Sequence, residues 1–156
     1  MKHYTWNQSS KGWLMVRVLV VDGEALIRDV LVQWLQSWGY DAVAVAGADE
    51  ALELMRTSPA EIVIADASMP EHDSLWLLNR LRELWPDTLV IMESGADDLE
   101  TALRTRLHGA FDHVPKPLAH ETLHQTLERA RTAIRPPGNL NGGPTLPDGS
   151  NSPTES

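Results

Sequence analysis

Apolar positions in the chain switch repeatedly between two periods. Val16–Val21 is apolar but for Arg17, the pattern of a strand covered on both faces. Ile27, Val30, Leu31, Trp34, Leu35 and Trp38 then recur at helical spacing, which places them on one face of a helix over Glu24–Trp38, with Gly39 as its stop. The alternation continues as a strand at Tyr40–Ala46, a helix at Ala48–Thr57 ending before Pro59, a strand at Glu61–Ala65 and a helix at Ser74–Trp85 ending at Pro86. Thr88–Met92 reads as the fourth strand, Asp97–Leu107 as the fourth helix and Ala110–Val114 as a short fifth strand. The last helix, Ala119–Ile134, carries Leu123, Leu127, Ala130 and Ile134 on one face. Five strand–helix units in succession predict an α/β fold, a doubly wound parallel sheet with helices on both faces and right-handed crossovers.

The two ends fall outside this pattern. Residues 1–14 are largely polar and without a period, which reads as a disordered extension, with either Met1 or Met15 as the start. Pro136–Ser156 holds five prolines, four glycines and no aromatic residue, so it reads as a flexible tail or a linker to an output domain. Between them lies a single domain over residues 15–135.

Composition narrows the chemistry. The net charge of −9 opposes binding to nucleic acid or to an anionic membrane through bulk electrostatics. The absence of cysteine removes disulfides, thiolate metal sites and cysteine nucleophiles. No apolar run approaches the roughly 20 residues that span a bilayer, and no apolar segment follows Lys2 as in a signal peptide. The expected location is the cytoplasm.

In open parallel sheets, ligands collect at the carboxyl ends of the strands. Here those ends deliver Asp22, Asp66, Ser94 and Lys116 to one edge. Two carboxylates, a hydroxyl and an ammonium suit a hard divalent cation, most naturally Mg²⁺. A carboxylate beside such a cation and a lysine is placed to attack phosphorus. Lys116 is one of three lysines in a chain that otherwise uses ten arginines, and a compact ammonium fits a small pocket better than a guanidinium.

Four stretches carry a family resemblance: Val20-Val21-Asp22-Gly23-Glu24, Ile64-Ala65-Asp66-Ala67-Ser68-Met69-Pro70, Ile91-Met92-Glu93-Ser94-Gly95, and Gly109-Ala110-Phe111-Asp112-His113-Val114-Pro115-Lys116-Pro117. In order and separation they resemble the blocks of the CheY-like receiver domain of two-component response regulators. The resemblance implies a flavodoxin-like fold with strand order 2-1-3-4-5. It also implies that Asp66 is a phosphoacceptor, fed by a sensor histidine kinase or a phosphotransfer protein. By the same resemblance Asp22, Asp66 and the Ser68 backbone carbonyl hold Mg²⁺, and Lys116 pairs with the phosphoryl oxygens. Ser94 and His113 take the two switch positions, the Lys116–Pro117 peptide bond is cis, and a partner or homodimer face lies on helix 4, strand 5 and helix 5. Such a domain is not a turnover enzyme.

One departure bears on that chemistry. Gly23 stands where the family carries its second acidic residue, which predicts weakened Mg²⁺ binding and leaves an alternative, a degenerate receiver acting as a phosphorylation-independent adaptor. Glu24 is the adjacent acid, read as a favourable charge at the start of the first helix or as a substitute metal ligand. Glu93 is read as lying at the pocket mouth or facing solvent, Glu71-His72-Asp73 as a solvated rim loop, and Ser74 as a helix-capping residue in place of the usual glycine. His120 and His124 have the i, i+4 spacing of metal ligands but no evident third partner, so a solvated face is expected. Trp34 and Trp38 are expected to pack, and Trp76 and Trp85 to mark a partner surface if exposed.

Overall fold

The computed structural model describes residues 15–69, 72 and 75–134. The expectations for the N-terminal extension, the Pro/Gly-rich tail, Glu71, Asp73 and Ser74 lie outside the described residues. Five strands and five helices alternate: β1 (Arg17–Val21), α1 (Ala25–Ser37), β2 (Asp41–Val45), α2 (Ala48–Thr57), β3 (Ile62–Asp66), α3 (Trp76–Leu84), β4 (Leu89–Gly95), α4 (Leu99–Leu107), β5 (Asp112–Lys116) and α5 (His120–Ile134). The strands form one parallel sheet in the order β2-β1-β3-β4-β5, the flavodoxin-like arrangement expected.

Because side chains alternate across a strand, the sheet feeds two core layers. Val18, Val20, Ile62, Ile64, Ile91 and Val114 join α1 and α5 on one face. Leu19, Val21, Val63, Ala65, Val90 and Met92 pack with α2 and α3 on the other. Gly39 ends α1 at φ 92°, a left-handed conformation that an L side chain rarely adopts. Tyr40 follows it into the core, where its hydroxyl lies 3.5 Å from Glu128 Oε2 on α5.

Two boundaries differ from the sequence expectation in a way that matters for the site. β4 continues three residues past Met92, and β5 runs over Asp112–Lys116, two residues later than expected. The cause is pairing: Asp66↔Glu93, Ser94↔Pro115 and Gly95↔Lys116 remain in ladder register after the apolar run has ended. Ser94 and Lys116 are therefore held on strands and not on the loops beyond them.

His120 and His124 meet the expectation of a solvated face only in part: His120 is exposed and His124 half-buried, and both rings contact the first helix. His124 stacks on Trp38, with centroids 4.4 Å apart, and His120 meets Trp34 and Trp38 edge-on at 4.8 and 4.9 Å. They help hold α5 to α1, and among the described residues no cluster of three potential ligands surrounds them. His72 is also half-buried, stacked on Trp76 at 3.7 Å. Trp76 and Trp85 are partly buried against the core, so neither presents an open ring surface.

Candidate functional site at the carboxyl edge of the sheet

Strand alternation builds the site one row above the core. Val20, Ile64, Ile91 and Val114 share the α1/α5 face, so the residues two further along return to that face: Asp22, Asp66, Glu93 and Lys116. Val21 pairs with Ala65, so Asp22 stands beside Asp66, and Asp66 pairs with Glu93. Three carboxylates thus occupy one row across β1, β3 and β4, at the roughly 4.8 Å spacing of neighbouring strands. Lys116 reaches in from β5.

Asp66 is the hub of that row. Its Oδ1 accepts from Lys116 Nζ at 2.7 Å, from the Ser68 amide at 2.9 Å and from the Ser68 hydroxyl at 2.8 Å. Lys116 Nζ also donates to Ser68 Oγ at 3.1 Å. Among the described residues all these donors fall on one oxygen, and Oδ2 takes none of them. Burial alone would raise the Asp66 pKa, but the Lys116 and Ser68 hydrogen bonds overcome it and hold the carboxyl below its usual value. Burial likewise works against the Lys116 charge, yet the bond to Asp66 and the charges of Asp66, Glu93 and Asp22 raise its pKa. Asp66 is thus an anion and Lys116 a cation at neutral pH.

Asp22 is fixed by its own turn. Its carboxylate accepts from the Glu24 amide at 2.9 Å, and its carbonyl accepts from Arg28 at 2.8 Å. Glu24 itself is the N-cap residue of α1, exposed, with no side-chain capping bond. It borders the mouth of a cavity of about 460 Å³ that runs beneath the row, walled by Ile27, Val30, Trp34, Pro117 and Leu118. The Lys116–Pro117 peptide bond is cis.

Of the two expectations for Glu93, the pocket position holds and the solvent-facing one does not: it lines the cavity with Asp22, Asp66 and Lys116. It is 1% exposed, and among the described residues its Oε2 has no hydrogen-bond partner. Burial, then the charges of Asp22 and Asp66, push its pKa up to about 8. Its full burial was not legible, because a lone glutamate in a strand end has no spacing signal. The period of two from Ile91 gives its face, but only the β3–β4 register gives its neighbour. On the opposite face, Ser94 hydrogen-bonds His113 Nε2, joining the two predicted switch residues directly. Burial lowers the His113 pKa, against the raising effect of Asp112 and Asp98, which favours the neutral ring.

An acid-lined strand edge with a lysine paired to the central aspartate invites comparison with known proteins. The family model for the response regulator receiver domain matches residues 18–128. The chain belongs to that family. Among curated relatives, the DNA-binding transcriptional regulator NtrC of Azospirillum brasilense is 31% identical over 123 residues, 79% of this chain and 26% of that protein. The receiver domain of NtrX from Brucella abortus superposes with a TM-score of 0.69 at 32% identity, covering 73% of this chain and 97% of that one. Chemotaxis protein CheY4 of Vibrio cholerae gives a TM-score of 0.70 at 28% identity, over 74% and 98% of the two chains. This chain spans about a quarter of the length of the curated relatives it matches. It is a two-component response-regulator receiver domain, and the degenerate-adaptor alternative finds no support in these matches.

Proposed function

We propose that this receiver domain takes a phosphoryl group onto Asp66 from the phosphohistidine of a sensor histidine kinase or phosphotransfer protein. The observation that carries the reading is the convergence of Lys116 and Ser68 on Asp66 Oδ1, beside a row of carboxylates. Oδ2 is then the attacking oxygen. As it bonds to phosphorus, the phosphorus–nitrogen bond breaks, and its electron pair returns to the donor imidazole. Lys116 neutralises charge on the transferred oxygens.

The donor set fits Mg²⁺: oxygen ligands only, three carboxylates against one lysine, and a buried carboxylate oxygen without a partner. Asp22, Asp66 and the Ser68 carbonyl would hold it. Bound there, it supplies positive charge for the equatorial phosphoryl oxygens.

Ser94 is the nearest hydroxyl on β4 to the phosphorylated row. Turning it toward a phosphoryl oxygen breaks its bond to His113 and frees that ring to move, which passes the event to α4, β5 and α5. That surface exposes Leu99, Leu103 and Leu107 at 68, 56 and 83%, one helical turn apart along α4. Such a stripe suits a homodimer or a partner protein. The relatives named above include a transcriptional regulator, so the proposed output is control of transcription through protein contact in the cytoplasm. DNA contact by this domain is opposed by its charge of −9. Among the described residues no helix is long and apolar enough to cross a membrane.

The test is incubation with a phosphohistidine donor and Mg²⁺, followed by peptide mass mapping. One phosphoryl group on Asp66, absent in Asp66→Asn, is expected. Label on any other residue, or label retained in Asp66→Asn, would contradict the reading.

A further inference from the structure

Gly23 and Glu93 are complementary departures at one site. An ideal Cβ at Gly23 meets only the Ala46 carbonyl oxygen, at 4.0 Å, so the position has room for a side chain and carries none. Glu93 brings a carboxylate to the same row from β4. It stands two residues beyond Ile91, in the row of Asp22, Asp66 and Lys116 that caps the apolar part of that face. Among the described residues its Oε2 is buried and unpartnered, while Lys116, the cation of that row, is already committed to Asp66 and Ser68. An acid held in such surroundings has no uncommitted cation in its row to balance its charge once it ionises.

We propose that Glu93 is the third carboxylate of the divalent-cation site, standing in for the acid that Gly23 lacks and holding the ion directly or through one water. The proposal rests on the reading of Asp66 as a phosphoacceptor with a cation beside it. Among the described residues no three acidic or histidine side chains yet converge on one point. Holding the ion would bring the Glu93 carboxyl into line with those of Asp22 and Asp66. The all-oxygen set and the neighbouring Lys116 select a small hard ion over a transition metal.

The test is calorimetric titration of MgCl₂ into the full chain and into Glu93→Gln, Glu93→Met, Gly23→Asp and the double variant Gly23→Asp/Glu93→Met. Gln keeps the shape of the neutral acid, so it separates loss of charge from loss of fold, and circular dichroism checks each variant. Both Glu93 variants are expected to bind Mg²⁺ at least about tenfold more weakly, with Gly23→Asp restoring affinity in the double variant. Binding by Glu93→Gln as tight as in the parent, or no binding by the parent when Gly23→Asp binds, overturns the proposal. The phosphoacceptor reading is judged separately, by phosphoryl incorporation into Gly23→Asp. If that variant binds Mg²⁺ yet Asp66 takes no label, the earlier reading fails and this inference falls with it.

Discussion

At the scale of single residues, Glu93 costs stability in the absence of a cation. A buried acceptor without a partner is destabilising by about 1–3 kcal/mol, and Glu93 Oε2 is such an acceptor. Glu93→Met in metal-free buffer should therefore raise the unfolding free energy by about that amount, read as a higher denaturation midpoint with an unchanged slope. A lower midpoint would mean that the acid is better accommodated than its geometry indicates. Tyr40 gives a prediction in pH. Burial, then the charge of Glu128, raise its phenol from 10.0 to about 12. The folded chain thus keeps a proton that the unfolded chain has lost. That contribution is complete below pH 10 and is lost as pH rises through about 12, at most about 2–3 kcal/mol. Denaturation midpoints at pH 9 and pH 11.5 should fall further for the parent than for Tyr40→Phe, and equal falls would sink the assignment.

Secondary-structure elements carry the signal outward. Asp112 at the start of β5 binds Arg129 of α5 at 2.7 Å and lies 3.5 Å from Arg106 of α4. It ties the two helices of the proposed partner face to the strand that holds His113. These pairs are exposed and individually weak, so the face can shift without unfolding. Leu103→Glu places a charge in the middle of the α4 stripe. It should abolish any dimer seen by sedimentation velocity with Mg²⁺ and beryllofluoride, a mimic of the phosphorylated aspartate. It should change monomer stability by no more than about 0.5 kcal/mol. A dimer that survives Leu103→Glu would move the interface elsewhere. Element types and order were legible from hydrophobic period because the α1, α3 and α5 faces and the β1 and β3 runs are strongly patterned. The ends of β4 and β5 were not, since Glu93-Ser94-Gly95 and Pro115-Lys116 are polar or helix-breaking and belong to strands only through their neighbours' ladders.

For the molecule as a whole, parallel pairing in the order β2-β1-β3-β4-β5 brings residues from four strands to one edge. Asp22 and Asp66 were legible because each ends a buried apolar run, and Lys116 because it follows Val114 of the fifth strand pattern, and function gathers at those ends. The aromatic seam of Trp34, Trp38, His120 and His124 was not, because it joins the first helix to the last and leaves no trace in local spacing. The burial of Glu93 was not legible for the same reason: its surroundings depend on two carboxylates far away in sequence. The central claim is that charge added at Asp66 is relayed through Ser94 and His113 to the α4–β5–α5 face. Two-dimensional amide NMR tests it most directly, comparing the protein with Mg²⁺ alone and with Mg²⁺ plus beryllofluoride. The account predicts shifts that run from Asp66 through Ser94 and His113 into α4. A spectrum unchanged at saturating Mg²⁺, or shifts confined to the β3 end, would contradict it.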